Sequence, residues 1–517
     1  MATLTNSFPL SSTANAIAIP GKPDPLQINF EQLNRNVSDI QINLADLGIS
    51  PKDVVSIVMP NSYEFIVSFL AITRQRGIAA PLSPAYKQHE FEFFFRDSQS
   101  SLILVPQGCF DHNDHVIKAA KACHTAIAEC ALDGETVTLQ IKELGALNKR
   151  KQQRIETVEP EDIALLLHTS GTTSTPKAVP LTHRNLTRTM YNVRATYQLS
   201  PLDCGFLVMP LFHVHGLVAG LLAPLSAGGS VVVPPRFSGS EFWTDFVACR
   251  ANWYTAVPTI HRILLQVPQP DPMPTIRFIR SCSAHLSSKT LQEMESTFRA
   301  PVLEAYGMTE AAHQVCSNPL PPGKRIMGSV GIEQGVSVKI LNDNGDEVPH
   351  EQEGEICVKG ENVTQGYVNN PLANRSAFTA DGYFRTGDLG KKSSDGYISI
   401  TGRIKELINK GGEKISPAEL DSALMNHADI AEVVTFAIPD PGHYGEDIGV
   451  AVVPKEKQQI SEESIKRWMI EQVVKFKVPK KVWIIDELPK SATGKLQRRK
   501  IADRILTGEL LFMKQVA

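Results

Sequence analysis

The chain of 517 residues is too long for a single hydrophobic core, which predicts two or three domains. Its net charge of −3 gives no bulk attraction to nucleic acid or to an anionic membrane, so neither class of partner is expected. The eight cysteines include no C-x-x-C pair, which argues against a zinc site and a disulfide framework.

Targeting signals are not apparent. Residues 1–25 lack a basic region followed by an apolar core, so no secretory signal is predicted. The most apolar stretch, residues 205–235, contains Pro210 and Pro224, and its pattern favours a buried strand–helix–strand over a membrane span. Residues 514–517 do not match a peroxisomal Ser-Lys-Leu address. We therefore expect a cytoplasmic protein, with a peroxisomal location as the alternative.

Helical and strand patterns alternate through most of the chain. Helices are predicted at residues 30–47, 61–75, 242–248 and 286–298, and strands at 53–59, 78–82, 102–105, 163–167, 206–209, 230–233, 253–257, 276–280 and 302–305. The weakly patterned residues 129–151 are expected to form a surface excursion. This alternation predicts an α/β fold with mostly parallel sheets covered by helices.

The pattern changes after residue 328. Strand pairs joined by Gly/Asp turns predict a small antiparallel β subdomain. A boundary near residues 402–405 separates a large N-terminal domain (1–402) from a small α+β C-terminal domain (403–517). Ser416 and Glu419 have the spacing of a capping box at the start of a C-terminal-domain helix.

The most informative stretch is HTSGTTSTPK, residues 168–177, which follows the predicted strand at 163–167. Its backbone N–H groups, hydroxyls and Lys177 are the groups that hold a polyphosphate. It is not a Walker A loop, because no second glycine precedes the lysine.

Further motifs follow in order. PLFHVHG (210–216) places two histidines on alternate positions, and the residues alone leave open whether each lines a pocket or packs in the core. EAYGMTE (304–310) offers Tyr306 for a purine face, Thr309 for a phosphate and Glu310 for Mg²⁺. RTGD (385–388) presents an aspartate suited to ribose hydroxyls. GRIKELINKGGEKISP (402–417) has the composition of a solvated hinge, and PKSATGK (489–495) carries a lysine on a glycine-containing segment.

Together these blocks resemble the adenylate-forming superfamily, which includes acyl-CoA synthetases, luciferases and peptide-synthetase adenylation domains. The resemblance implies that a carboxylate attacks the α-phosphate of ATP to give an acyl-adenylate and pyrophosphate. The mobile C-terminal domain then rotates, and the CoA thiol displaces AMP. ATP and CoA are the implied substrates, and Mg²⁺ is the implied metal.

The resemblance also assigns residues by position. Catalytic roles fall on Lys495, Thr309, Glu310 and His213, with Glu310 as the Mg²⁺ ligand. The hinge and the border of the CoA tunnel fall on Lys405, Gly411 and Gly412. ATP or AMP binding falls on Thr169, Ser170, Gly171, Thr172, Thr173, Lys177, Tyr306, Thr309, Asp388, Arg403 and Lys495.

The choice of acid depends on four polar residues: His215, Ser281, Ser283 and His313. Related coumarate ligases usually carry an aromatic residue at the first of these positions and a proline at the last. A fatty chain or a phenyl ring would leave these polar groups unpaired, at ~1–3 kcal/mol each. A second carboxylate would satisfy them with charge-assisted hydrogen bonds, which predicts a small dicarboxylate.

The runs HTSGTT, FHVHG, RSCS and TEAAH resemble those of the oxalate–CoA ligases of fungi and plants, a branch of the same superfamily. The resemblance implies oxalate as the acid and oxalate breakdown as the setting. Alternatives are a ligase for another short, medium-chain or aromatic acid, and an adenylation enzyme that loads a carrier protein. A nucleotide-binding protein without catalysis is a third, against which Lys177, Glu310 and Lys495 argue. The sequence leaves the oligomeric state open, and a monomer is compatible with it.

Overall fold

The computed structural model describes residues 3–21, 24–169, 176–441, 444–455, 458, 460–490 and 496–509. Within these residues, the strands form sheets of nine, seven, four and five strands. The mixed α/β architecture with two large, mainly parallel sheets confirms the predicted fold class.

The nine-stranded sheet contributes most of the candidate site. The strands Asn15–Ile19 and Val302–Met308, and those that lie between them in the sheet, are parallel to one another. The strands outside this group are antiparallel to their neighbours. In spatial order the strands are Ile332–Glu333, His313–Ser317, Val302–Met308, Phe278–Ser281, Trp253–Ala256, Cys204–Leu207, Ser230–Val232, Asn15–Ile19 and Leu26–Asn29.

The seven-stranded sheet carries the predicted phosphate loop at one edge. In spatial order its strands are Thr136–Glu143, Ala126–Asp133, Ser100–Pro106, Val54–Ile57, Ile78–Pro81, Ile163–Thr169 and Lys177–Thr182. The expected surface excursion at residues 129–151 was therefore wrong for most of its length. The strands at 126–133 and 136–143 form a hairpin that extends the sheet, with its first strand parallel to Ser100–Pro106. Backbone pairing with a neighbouring strand stabilises this segment despite its weak hydrophobic pattern.

Helices cover these sheets and fill the space between them. The helix Tyr63–Arg74 is buried on nearly all sides, as its almost continuous apolar sequence requires. The α-helices are Phe30–Asp46, Tyr63–Arg74, Gln88–Ser98, Cys109–His112, His115–Ala122, His183–Thr196, Ala223–Ser226, Gly239–Ala248, Pro258–Gln266, Ser288–Phe298, Pro371–Ala377, Pro417–Leu424, Glu462–Gln472 and Arg498–Leu506. Single-turn 3₁₀ segments are Leu4–Asn6, Gly145–Lys149, Thr309–Ala311, Ile404–Glu406 and Lys475–Lys477.

The apolar stretch at 205–235 is a buried strand–helix–strand, as predicted, and its helix is a π-helix, His215–Leu222. In the part of the chain that the structure describes, no helix has the length and apolarity needed to span a membrane.

The two smaller sheets lie in the last third of the chain. The antiparallel sheet Ser337–Leu341, Gly354–Lys359, Phe384–Lys392 and Ile398–Arg403 confirms the predicted β subdomain. The following sheet contains, in spatial order, Glu413–Ile415, Ile408–Lys410, Gly445–Pro454 and Ile430–Asp440, with Lys481–Ile484 beside Gly445–Pro454. The domain division at residue 402 stays a prediction.

The capping box predicted at Ser416 does not form, although a helix, Pro417–Leu424, begins at the next residue. The Ser416 hydroxyl instead donates to the carbonyl of Thr401, 2.5 Å away. A backbone carbonyl on the preceding strand therefore replaces the local N–H groups as its partner.

Candidate active site

The ends of the predicted phosphate loop face each other across a hairpin. Thr169 and Lys177 are register partners in antiparallel strands, and the Thr169 hydroxyl lies 3.5 Å from the Lys177 carbonyl. The predicted phosphate ligands Ser170, Gly171, Thr172 and Thr173 lie outside the described residues. The hairpin thus fixes where the loop begins and ends, at the edge of the seven-stranded sheet.

Lys177 lies in an environment that favours an anion. Its Nζ is 4.5 Å from the centroid of the Tyr367 ring. Partial burial lowers the pKa of the Lys177 ammonium, and the positive charge of Lys405 in the predicted hinge lowers it further. A polyphosphate would relieve this repulsion between the two lysines.

Glu310 is a buried carboxylate on the turn Thr309–Ala311. Burial raises its pKa, while the Tyr367 hydroxyl donates to Oε1 at 3.0 Å and stabilises the carboxylate. Tyr367 therefore connects Glu310 to Lys177 through its hydroxyl and its ring. Such a carboxylate is suited to a cation that arrives with a phosphate ligand.

Neighbouring side chains hold this turn in place. Thr189 donates to the Ala311 carbonyl at 3.2 Å, and Asn362 donates to the same oxygen at 2.9 Å. The Thr364 N–H donates to the Glu310 carbonyl at 2.7 Å. Thr189 lies on the helix that follows the strand of Lys177, so this helix links the phosphate-loop hairpin to the Glu310 turn.

Tyr306, Asp388 and Arg403 form a connected group. The Tyr306 hydroxyl donates to Asp388 Oδ2 and Arg403 Nε donates to Asp388 Oδ1, each at 2.5 Å. The Asp388 charge raises the pKa of Arg403, and burial raises the pKa of the Tyr306 hydroxyl. Each Asp388 oxygen retains lone-pair capacity for a ribose hydroxyl. The three predicted nucleotide residues are thus brought together from separate strands.

His215 begins the π-helix, and His213 lies two residues before it. The His215 backbone N–H donates to His213 Nδ1 at 3.2 Å. His215 is fully buried, whereas His213 is partly exposed. The His215 ring lies parallel to the His313 ring, with centroids 5.0 Å apart and planes inclined by 19°. Two of the predicted acid-site residues are therefore in contact.

Strained backbone surrounds this pair of rings. Ser283 has φ 72°, and its hydroxyl lies 3.1 Å from His215 Nδ1. Ala312 and His313 have φ values of 48° and 110°. Non-glycine residues are uncommon at positive φ, and such strain is concentrated at functional sites. Gly307 lies against this turn, where an added Cβ would be 2.0 Å from the His313 carbonyl oxygen.

The structure does not connect Ser281 to this group. Ser281 ends the strand Phe278–Ser281, and its buried hydroxyl has no hydrogen-bond partner among the described residues. The preceding residue, Arg280, is the one that contacts His215, because successive strand residues point to opposite faces. The predicted role of Ser281 in acid binding stays a prediction.

Arg280 is the main residue that sequence reasoning missed. Its guanidinium is fully buried and lies 3.3 Å from His215 Nε2. A charged residue in an apolar strand pattern was the available signal, since arginine is rarely buried without a specific partner. Tyr367 was missed as well, and nothing in its local sequence indicated the contact with Glu310.

The predicted hinge and CoA-tunnel residues lie on the last sheet and before it. Gly411 and Gly412 have φ values of 58° and 92°, which explains why glycines occupy this turn. The Gly411 N–H donates to the Tyr444 carbonyl at 3.1 Å. Lys405 lies on the turn Ile404–Glu406. Lys495 lies outside the described residues.

Two family models match this chain. Residues 11–368 match the family described as AMP-binding enzyme, and residues 419–495 match the AMP-binding enzyme C-terminal domain. Oxalate–CoA ligase from Saccharomyces cerevisiae is 44% identical over 528 residues, covering 97% of each chain. Oxalate–CoA ligase from Arabidopsis thaliana is 46% identical over 470 residues, covering 90% of each chain.

Among solved structures, ATP-bound MatB from Rhodopseudomonas palustris superposes with a TM-score of 0.86. It is 30% identical, and the match covers 95% of this chain and 96% of the other. The similarity thus extends over nearly the entire chain in both sequence and fold. The chain belongs to the AMP-binding enzyme family, the adenylate-forming acid–CoA ligases.

Proposed function

We propose that this protein is an AMP-forming oxalate–CoA ligase, which converts oxalate, ATP and CoA to oxalyl-CoA, AMP and pyrophosphate. The supporting observation is the short segment from Tyr306 to His313. It carries Tyr306, Thr309 and Glu310 on the nucleotide side and His313 on the acid side. The residues proposed for the nucleotide and the residue proposed for the acid therefore lie in one short segment.

Two neighbouring groups of residues divide the chemistry. Lys177, Tyr306, Asp388 and Arg403 bind ATP, and Thr309 contacts its α-phosphate. One oxalate carboxylate attacks that phosphorus, which forms oxalyl-adenylate and releases pyrophosphate. Lys495 contacts the attacking carboxylate and the α-phosphate. Because phosphoryl displacement depends mainly on positioning and charge neutralisation, no protein nucleophile is required.

The second oxalate carboxylate explains the polar acid site. His215, Ser283 and His313 supply hydroxyl and imidazole groups where a fatty chain or a phenyl ring would need apolar contacts. Charge-assisted hydrogen bonds to a carboxylate are about twice as strong as neutral ones. Two relatives named oxalate–CoA ligase support the same acid.

The residues present fit one Mg²⁺ ion held jointly with ATP. Glu310 is a buried carboxylate. Among the described residues, no three His, Cys, Asp or Glu side chains are grouped so that they could hold a metal ion by themselves. Mg²⁺ is usually bound by one or two carboxylates together with substrate phosphates and water. Glu310 would hold the ion, which would neutralise phosphate charge when bound.

The C-terminal domain provides the second half-reaction. We assign the hinge to Lys405 and the border of the CoA tunnel to Gly411 and Gly412. Rotation about the hinge moves Lys495 away from the acyl-adenylate and brings the CoA tunnel to it. The CoA thiol then displaces AMP. A monomeric cytoplasmic enzyme, with the peroxisome as the alternative location, completes the proposal.

A substrate panel tests the acid. Pyrophosphate release is measured with ATP, CoA and oxalate, malonate, acetate, coumarate or octanoate, and the thioester is identified by mass spectrometry. We expect the highest kcat/KM for oxalate, with oxalyl-CoA as the product. A signal with oxalate no greater than that with acetate would contradict the assignment, and adenylation without a CoA thioester would indicate a carrier-loading enzyme.

A further inference from the structure

Arg280 lies in the centre of the nine-stranded sheet with its side chain completely buried. Its donors reach neutral acceptors. Nε donates to the Tyr197 hydroxyl at 2.7 Å, Nη1 to the Thr255 hydroxyl at 3.1 Å, and Nη2 to Gln314 Oε1 at 3.3 Å. A planar guanidinium is the side chain that can satisfy several such acceptors at once.

The charge of this guanidinium is not neutralised by a carboxylate. Within the described ranges, Arg280 takes part in no ion pair with Asp or Glu, whereas Arg277 on the same segment pairs with Asp203 at 2.7 Å. A buried charge without a counterion is costly, and arginine does not deprotonate in proteins. The interior beside Arg280 therefore favours an incoming anion.

Arg280 also contacts the imidazole of His215. Arginine has no acceptor, so a hydrogen bond between Nη1 and His215 Nε2, which are 3.3 Å apart, needs an unprotonated Nε2. Thr255 accepts from Arg280, which leaves its own hydroxyl hydrogen for His215 Nε2 at 2.6 Å. The ring proton of neutral His215 is then on Nδ1, which faces the Ser283 hydroxyl.

We propose that Arg280 is a positioning residue for acid selectivity. It holds His215 as the Nδ1–H tautomer and adds a buried positive charge behind it, so that the His215–Ser283 pair donates to the second carboxylate of a small dianionic acid. This inference rests on the proposed function, because a monocarboxylate brings no second anion to this side of the site.

The tautomer is tested without any substrate. In protein labelled with ¹⁵N-histidine, the His215 signals are those lost in His215→Gln. We expect wild-type Nδ1 in the protonated range and Nε2 in the unprotonated range. In Arg280→Gln, Thr255 no longer accepts from Arg280 and can either donate to His215 Nε2 or accept a hydrogen bond from it, so both His215 shifts should move toward averaged values. An unchanged pattern in Arg280→Gln would overturn the proposal.

Kinetics supply the second readout. For Arg280→Gln, we expect the ratio of kcat/KM for oxalate to kcat/KM for acetate to fall at least tenfold. Most of this change should come from a higher KM for oxalate. The KM for ATP should change less than twofold. Arg280→Lys retains the positive charge but cannot contact Tyr197, Thr255, Gln314 and His215 together. Its KM for oxalate should therefore lie between those of the wild type and Arg280→Gln. Its ¹⁵N shifts for His215 should stay at averaged values. Arg277→Gln is the matched control and should leave the ratio unchanged.

The outcomes separate the two proposals. If the wild-type protein shows no preference for oxalate, the proposed function fails, while the ¹⁵N spectra still decide the role of Arg280. If Arg280→Gln does not fold, Arg280→Lys provides both readouts with the charge retained. Equal losses of oxalate and acetate turnover in a folded variant would make Arg280 a structural residue only.

Discussion

The proposed nucleotide side and the proposed acid side of this site differ in how their buried charges are balanced. On the nucleotide side, Asp388 and Glu310 are buried carboxylates whose hydrogen bonds come from Tyr306, Arg403 and Tyr367. On the acid side, buried Arg280 has neutral partners within the described residues. The first side is close to internally neutral, and the second side is left with a positive charge.

This difference matches what each side is proposed to bind. ATP offers ribose hydroxyls, which are donors and need carboxylate acceptors, and it is expected to bring its own cation. A dianionic acid offers acceptors alone, so its site needs donors and positive charge. The contrast predicts that substitutions on one side change the kinetics of one substrate and leave the other substrate unaffected.

The largest effect is expected at Lys495, which is proposed to contact both the attacking carboxylate and the α-phosphate. Lys495→Ala should reduce oxalate-dependent pyrophosphate release by about 10³-fold, because a positioned cation on developing charge is worth roughly 10²–10³ in rate. CoA transfer from supplied oxalyl-adenylate should be spared. The two half-reactions are measured separately, with exposed Lys500→Ala as the control. Equal loss of both steps would refute the two-state assignment of this lysine.

A nucleotide-side change should act on ATP alone. Asp388→Ala removes the acceptor of both Tyr306 and Arg403, so we expect the KM for ATP to rise about 10- to 100-fold, or ~1.4–2.7 kcal/mol. The ratio of oxalate to acetate turnover should not change. Steady-state kinetics with each substrate varied in turn provide the measurement. Asp381→Ala, at an exposed aspartate paired with Lys339, is the control, and a shift in acid selectivity would break the separation.

An acid-side change should show the reverse. His313→Ala removes the ring stacked on His215, and we expect kcat/KM for oxalate to fall by about tenfold, or ~1.4 kcal/mol, with a smaller loss for acetate. The KM for ATP should stay constant. The same kinetic series provides the measurement, with exposed His350→Ala as the control. Unchanged selectivity would reduce His313 to a packing residue.

The smallest effect concerns stability on the strand that carries Tyr306. Burial raises the pKa of Glu304 on this strand to about 7, although the Gly328 N–H donates to it at 3.1 Å. The folded protein therefore binds more protons than the unfolded chain between about pH 4.5 and pH 7, and this group lowers stability as pH rises through that window.

Glu304→Gln removes this titration. Relative to the wild type, the variant should gain stability between pH 5.5 and pH 8, by about 2 kcal/mol. Thermal midpoints of both proteins at the two pH values provide the measurement. The KM for oxalate should not change at either pH. A difference in midpoint that is the same at pH 5.5 and pH 8 would show that Glu304 is ionised throughout.

The general organisation of the chain was predictable because it depends on local patterns. The helix at 30–47 was predicted from its 3.6-residue spacing and is observed at Phe30–Asp46, where Asn29 and Gln32 form a capping box. The hairpin at 126–143 was missed because its pairing with Ser100–Pro106 depends on a neighbour rather than on its own pattern. Ser416 was misread for a similar reason, since its partner is the distant carbonyl of Thr401.

The sequence by itself determined the reaction class. The ordered motifs from residue 168 to residue 495 indicated adenylate formation, and the family comparison confirms it. They do so because phosphate, ribose and metal binding each require particular residue types at short, fixed spacings. Of the four residues predicted for the acid site, His215 contacts both His313 and Ser283, and their role in acid binding stays a prediction.

Only the tertiary structure decided which side chains face one another. Tyr306 meets Asp388 and His215 meets His313 across long stretches of chain, and no local pattern specifies such pairs. The choice between Arg280 and Ser281 as the neighbour of His215 depends on strand orientation, because adjacent residues point to opposite faces. The positive charge behind the proposed acid site is therefore a consequence of sheet geometry, and the residue types alone did not reveal it.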